Sequence, residues 1–193
     1  MKQRLPTLEN KGSGARREQE RSRRSAQDFA GRPTERPVLT ERVVAIAHVN
    51  QPEASSKLAA QLCAALTHAG SKVAALVSID SSALTAESQA AFAGLMESGA
   101  RQAKLVRITE PAQAPGALQA ALADIAPGSD WIVAWGNALP QLFQPYLTVV
   151  VTGHRRELTH ADPLVLQAQL EVTAPTDELA TLLARKLSGT EQG

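Results

Sequence analysis

A continuous apolar segment, VVAIAHV at Val43–Val49, limits the folds open to this chain more than any other feature. Strands without polar alternation are typical of parallel sheets that are covered on both faces by helices. Pro52 and Glu53 suit the first turn of a helix, because proline costs no hydrogen bond there and an acid complements the helix dipole. Leucines then recur at helical spacing up to Gly70, a natural C-terminal stop. The segment predicts a buried strand, a loop over residues 50–56 and an amphipathic helix.

The rest of the chain repeats this alternation of strand and helix. We expect further strands at residues 72–79, 104–108, 131–135 and 147–151, and a sixth at 166–172, where the alternating pattern is typical of a sheet edge. Helices are expected at about 85–98, 115–125 and 177–187, the last capped near Thr176, with one helical turn at 139–143. The pattern favours an α/β domain over residues 42–193, with a mainly parallel sheet, helices on both faces and right-handed crossovers.

Residues 1–41 differ in composition from the domain that follows. Residues 1–42 hold 11 Lys and Arg against 6 Asp and Glu, a net charge of +5, and the remainder carries −4. Their sparse apolar residues cannot offset the entropy of ordering, so we expect disorder in isolation. We interpret this basic arm as a docking segment for a partner protein, with a solvated linker as the plainer alternative. Its candidate contacts are Arg16, Arg17, Arg21, Arg23 and Arg24. Nucleic acid is disfavoured because Arg alternates with Glu and no aromatic residues interleave.

The compartment expected for this chain is the cytosol. A single cysteine, Cys63, cannot form an internal disulfide, which favours a reducing environment. The sequence has no apolar run of about 18 residues, so we expect no membrane span. The charged N-terminal residues also argue against a secretory signal.

The N-terminus of the first helix is a candidate anion site, because it lies at the carboxyl edge of the predicted sheet. Phosphate-binding loops place Gly-x-x-x-x-Gly-Lys-Ser/Thr there. Lys57 stands at the lysine position, whereas Gln51 and Ser56 replace the glycines and Leu58 replaces the metal-binding hydroxyl. We therefore take Ser55, Ser56 and Lys57 as candidate anion contacts, and we expect that polyphosphate wrapping and Mg²⁺ binding are lost.

Residues that follow the other strands share that edge: Asp80, Glu110, Trp135, Asn137, His154 and Arg155. Asp80 and Glu110 could together bind a divalent cation. More ordinary roles are a helix N-cap for Asp80 and a surface turn for Glu110. Trp135 ends a strand at which hydrolysis usually needs an acid to hold the metal ion or its water. The indole ring could instead stack on a ligand or be buried. His154 and Arg155 are a candidate anion contact. No metal-ligand spacing of Cys and His occurs, so no metal site is expected.

Two segments resemble a known family in their order of elements. They read VVAIAHVNQPEASSKLAAQLCAALTHAGSKVAAL and SDWIVAWGNALPQLFQPYLTVVVTG. The layout resembles the molybdopterin-guanine dinucleotide biosynthesis protein B family and related small P-loop NTPases of metal-cofactor assembly, over about residues 43–187. That resemblance implies a P-loop domain that binds GTP and Mg²⁺ and acts as an adaptor around molybdenum-cofactor enzymes. Of the family's motif residues, Lys57 and loosely Asn137 are matched.

The preferred hypothesis is a catalytically degenerate accessory or assembly protein that binds a partner protein and needs no cofactor. Its motivation is selective loss, since the phosphate-loop positions have changed while the strand and helix patterns are intact. One alternative is a GTP-binding NTPase of molybdenum cofactor biosynthesis that uses Mg²⁺ and a non-standard loop. The other is a binding module for a phosphorylated or pterin-like ligand at the same edge.

Overall fold

The computed structural model describes residues 41–80, 84–153 and 163–189. Within these ranges the strands are β1 Val43–Val49, β2 Val73–Ile79, β3 Gln102–Arg107, β4 Trp131–Trp135, β5 Leu147–Thr152 and β6 Leu170–Val172. The helices are α1 Pro52–His68, α2 Ala86–Glu97, α3 Ala114–Ile125, α4 Ala138–Leu142, α5 Pro163–Gln167 and α6 Asp177–Leu187, with a 3₁₀ turn at Pro111–Gln113. No helix in the described ranges is both long and apolar enough to cross a bilayer.

The six strands form one sheet in the order β3-β2-β4-β1-β5-β6, and every neighbouring pair is parallel. The predicted α/β fold with a parallel sheet is therefore confirmed. β1 lies in the interior, with Val44 opposite Val133 of β4 and Leu147 of β5. The chain leaves β1 towards β2 and β3, whereas it leaves β4 and β5 in the opposite direction. The carboxyl end of β1 is thus a topological switch point, where open α/β sheets bind ligands.

Alternate residues of β1 face two different cores, which explains its continuous apolar sequence. Val44 and Ile46 pack with the buried residues of α1, α2 and α6 on one face. Val43 and Ala45 pack with α3 and α4 on the other. The helices therefore cover both faces of the sheet, and a polar residue in the middle of β1 would be buried on either side.

Most element bounds agree with the prediction, and the bounds of β1, β4 and α6 match it fully. The N-cap of α6 is also confirmed, since Thr176 Oγ1 accepts a hydrogen bond from Leu179 N at 3.2 Å. The strand predicted at residues 166–172 is partly wrong, because α5 occupies Pro163–Gln167. Only Leu170–Val172 pairs with β5, so the sheet edge here is three residues long.

Part of the prediction falls outside the described ranges. This applies to the arm before Glu41, with its candidate contacts Arg16, Arg17, Arg21, Arg23 and Arg24, and to the anion candidates His154 and Arg155.

Candidate functional site

The turn between β1 and α1 is much shorter than the sequence motif predicts. β1 ends at Val49 and α1 begins at Pro52, so two residues connect them instead of the expected loop over residues 50–56. Asn50 has φ 57°, a left-handed conformation that asparagine tolerates better than most residues. The loop prediction is therefore wrong, whereas the helix start at Pro52 is confirmed. The reason is local: proline at the first helical position and Glu53 behind it favour the helix over an open loop.

The first turn of α1 has fewer backbone donors to offer than a phosphate loop needs. Pro52 has no amide hydrogen, and Ser55 N already donates to Gln51 O at 3.1 Å. The Gln51 side chain extends towards the end of β5, where a Cβ added to Gly153 would lie 3.1 Å from Gln51 Nε2. The exposed carboxylate of Glu53 adds a negative charge to the same turn. The site that would have to attract phosphate is poor in donors and carries an acid.

The candidate anion contacts of α1 lie inside the helix. Ser55 Oγ donates to Pro52 O at 2.8 Å, and Ser56 Oγ donates to Glu53 O at 2.9 Å, so both hydroxyl hydrogens are used within the first turns. Lys57 is exposed and follows Pro52 by five residues, which corresponds to about 7.5 Å along the helix axis. Ser55 is fully buried whereas Lys57 is exposed, so these two candidate contacts do not share one surface.

An indole ring lies beneath this first turn. Trp135 ends β4, is only 5 % exposed and packs in the core shared with α1. Its Nε1 donates a hydrogen bond of 2.8 Å to Ser55 Oγ, which is itself fully buried. The indole therefore links the end of β4 to the start of α1, with its one polar atom satisfied. Its ring does not present an open face to a ligand.

A histidine packs against this indole at the end of β1. The rings of His48 and Trp135 are stacked, with centroids 5.8 Å apart and an interplanar angle of 21°. His48 Nδ1 is buried and has no hydrogen-bond partner among the described residues. Burial lowers the pKa of His48 below its usual value of 6.5, and the negative charge of Glu87, in the first turn of α2, opposes that shift. The half-buried imidazole is thus held in its neutral form near pH 7.

Gly136 and Asn137, which follow β4, hydrogen-bond to the backbone of β1 at the carboxyl edge of the sheet. Asn137 Oδ1 accepts a hydrogen bond from His48 N at 3.0 Å, and Asn137 Nδ2 donates to His48 O at 3.1 Å. The side-chain amide thereby extends the pairing of β1 beyond Gly136, whose amide donates to Ile46 O at 3.1 Å. Gly136 has φ 122°, and a Cβ added to it would lie 2.2 Å from Ser78 O. Asn137, one of the two matched motif residues, thus makes structural contacts here.

The two candidate acids lie at the ends of neighbouring strands, β2 and β3. Asp80 is exposed, yet partial burial of its carboxyl group raises its pKa. It does not cap α2, because Thr85 does so by accepting from Ser88 N at 3.1 Å; the helix-cap role is therefore wrong. Glu110 is exposed in a surface turn and accepts from Gln113 Nε2 at 2.6 Å. Among the described residues, no group of three or more His, Cys, Asp or Glu could hold a metal ion.

Sequence reasoning missed the contacts that close this edge. Ser55 and Trp135 are 80 residues apart, and His48 and Asn137 are 89 residues apart. One signal was available: an indole predicted at the end of a buried strand needs a hydrogen-bond acceptor, but which residue accepts depends on the strand order.

Comparison with protein-family models, with curated proteins and with solved structures finds no match for this chain.

Proposed function

We propose that this chain is a catalytically degenerate P-loop-like accessory protein, whose α/β domain is a scaffold and whose basic arm binds a partner protein. One observation carries the proposal: the two-residue turn between β1 and α1, under which the Trp135 indole is bonded to Ser55. A polyphosphate needs consecutive backbone amides that curl around it, a lysine at the end of that loop and a hydroxyl for Mg²⁺. A two-residue turn has too little backbone for this task.

The electrostatics of the turn support the same proposal. The exposed carboxylate of Glu53 occupies the first helical turn, where a polyphosphate would need positive potential. Lys57 lies within α1 and is exposed to solvent. Its charge is screened there, so it attracts an anion at the turn only weakly. The hydroxyl hydrogens of Ser55 and Ser56 are already donated to backbone carbonyls. An anion at this position would therefore meet one nearby negative charge and few free donors.

The partner-binding part of the proposal is supported by the composition of the arm. Its net charge of +5 over residues 1–42, and its shortage of apolar residues, are typical of segments that order on a partner. The setting in molybdenum-cofactor enzyme assembly is supported only by the resemblance in the order of elements. An acidic surface on the partner is the complement that such an arm requires.

An affinity pull-down from the native cell tests the role of the arm. The bait is the full chain, compared with a variant in which Arg16, Arg17, Arg21, Arg23 and Arg24 are replaced by Ala. A matched variant with the same five positions changed to Lys keeps the charge, and Lys57→Ala perturbs the candidate anion site alone. We expect the Ala variant to lose the captured partner, while the Lys variant and Lys57→Ala retain it.

Two results would contradict the proposal. Capture that survives in the five-Ala variant would remove the docking role of the arm. Capture that requires Lys57 together with added GTP and Mg²⁺ would instead favour the GTP-binding alternative. A native mass spectrum of the bait provides an independent check, because a retained phosphorylated or pterin-like molecule would favour the binding-module alternative.

A further inference from the structure

The sheet ends at β3, and this edge is open along the whole strand. β3 pairs with β2 in one continuous register, from Gln102 opposite Ala74 to Arg107 opposite Ile79. Within the described ranges, no strand pairs with its other side. The opposite edge of the sheet is only three residues long, at Leu170–Val172. An edge strand that lacks proline, glycine and a bulge is able to pair with a strand of another chain.

The hydrogen-bonding pattern determines which backbone groups of β3 face the open side. Directly after the strand, Ile108 N donates to Ile79 O of β2 at 2.8 Å. Alternate residues of a parallel strand direct their backbone groups to the same side, so the even-numbered residues of β3 bond to β2. The N–H and C=O groups of Ala103, Leu105 and Arg107 therefore face away from β2, where an added strand could bond to them.

The polar side chains that could obstruct this edge are held on one face of the sheet. A lysine on an edge strand commonly prevents further pairing. In β3, however, Lys104 Nζ donates to Asp124 Oδ2 at 2.5 Å, and Gln102 Nε2 donates to Ile125 O at 2.7 Å. Both acceptors lie at the end of α3, which covers that face. The two side chains are thus drawn towards α3, and the backbone edge stays accessible.

The charges around β3 indicate what kind of strand would pair with it. Arg101 directly precedes β3 and Arg107 ends it, and both are exposed. Neither forms an ion pair with another described residue. Between them, the half-buried Ala103 and Leu105 pack against the core shared with α1 and α2. The order basic, apolar, basic is complementary to a strand with acids at both ends and apolar residues between them.

A second copy of this chain is a poorer match for the same edge. Antiparallel pairing of two β3 strands over residues 101–107 would place Arg101 of each copy opposite Arg107 of the other. The two copies of Lys104 would also lie opposite each other. Like charges directly opposite one another destabilise a pair of strands. The edge therefore favours an acidic strand over self-association.

We propose that the open edge of β3 binds an extended acidic segment of a partner protein, which adds a seventh strand to the sheet. Backbone hydrogen bonds would supply the affinity, and Arg101, Leu105 and Arg107 would select the partner's side chains. The two arginines are six residues apart, so the matching acids would be separated by about 20 Å. This inference does not rest on the proposed function, because neither the basic arm nor the turn before α1 contributes to the site.

A peptide titration of the ¹⁵N-labelled full chain, followed by NMR, tests the site. The probe is the seven-residue peptide ETVTVTE with blocked ends. In antiparallel register its glutamates lie opposite Arg101 and Arg107, and its valines lie opposite Ala103 and Leu105. We expect saturable shifts and slower hydrogen exchange for the amides of Ala103, Leu105 and Arg107. The control peptide KTVTVTK should bind about tenfold more weakly, because two cross-strand attractions become repulsions.

Two variants separate backbone pairing from charge. Ala103→Pro removes an outward-facing N–H and breaks no bond to β2, so the chain should stay folded while ETVTVTE binding is lost. Arg101→Glu combined with Arg107→Glu should reverse the preference, so that KTVTVTK binds more tightly than ETVTVTE. The variant with five arginines of the arm replaced by Ala should bind ETVTVTE as the unchanged chain does, which distinguishes this site from the arm.

Several results would overturn the inference. These are the absence of saturable shifts at the three amides, equal affinity for the two peptides, and binding that survives in folded Ala103→Pro. Loss of ETVTVTE binding in the arm variant would assign the peptide to the arm instead. Self-association of the free chain that Ala103→Pro abolishes would identify a second copy as the occupant.

Discussion

Gly136→Ala should be among the most damaging small substitutions in the described part of the domain. Gly136 has φ 122°, a backbone conformation that costs an L-residue about 1–3 kcal/mol. The added Cβ would also lie 2.2 Å from Ser78 O and 2.5 Å from Ser78 Oγ, far inside contact distance. Relief requires β2 and β4 to separate, and such overpacking costs about 1–3 kcal/mol more. We expect a total loss of roughly 2–6 kcal/mol in the free energy of unfolding.

Two other glycines separate the contributions to this loss. Gly128 has φ 73°, but nothing lies within 4 Å of an added Cβ, so Gly128→Ala measures backbone strain without a clash. Gly116 lies exposed in α3 with open space around it, and Gly116→Ala should raise stability by about 0.5–1 kcal/mol through helix propensity. Urea unfolding followed by tryptophan fluorescence gives all three values. If Gly136→Ala costs no more than Gly128→Ala, the close approach of β4 to β2 is wrong.

Three further predictions concern buried polar groups near this edge and in α1. Ser55→Ala should cost about 1–3 kcal/mol, because it leaves the buried Trp135 Nε1 without its acceptor; Ser56→Ala, whose hydroxyl bonds only to Glu53 O, should stay within about 0.5 kcal/mol in the same urea assay. Cys63, with its pKa raised to about 11, should resist a thiol reagent at pH 8 until the chain is unfolded, and rapid labelling of the native protein would contradict its burial. Burial lowers the pKa of His48, so the unfolded state binds more protons than the folded state just below pH 6.5. Stability should therefore fall as pH falls through that window, and less so in His48→Gln; equal slopes for both proteins would contradict the assignment.

The sequence predicted the sheet well because its signals are local and strong. β4 is an uninterrupted apolar segment of strand length and β1 is apolar except for His48, and the bounds of both were predicted to the residue. The final helix also carried local signals, with a Thr cap, acids in the first turn and bases in the last. The seven-residue span expected to hold the edge strand, residues 166–172, was less clear, because a short alternating pattern does not distinguish the end of the helix Pro163–Gln167 from a strand.

The candidate site was less predictable because its contacts are distant in sequence. The likeness of residues 51–58 to a phosphate motif favoured a loop, whereas the segment's own signals, Pro52 and Glu53, indicated a helix. Trp135 can bond to Ser55 only because β4 lies next to β1. The local pattern of apolar and polar residues does not indicate the order of strands in a sheet. The amide of Asn137 likewise binds the backbone of His48 only once that order is known.

The proposed function depends most on a turn between β1 and α1 that is closed to polyphosphates. A titration of ¹⁵N-labelled full chain with GTP and Mg²⁺, followed by NMR, observes that turn directly through the Ser55 and Ser56 amides and the Trp135 indole N–H. Trp135→Phe identifies the indole signal, because it removes one of the protein's two indole resonances. We predict that these signals do not move up to millimolar nucleotide. Saturable shifts at micromolar nucleotide that disappear in Lys57→Ala would contradict the claim.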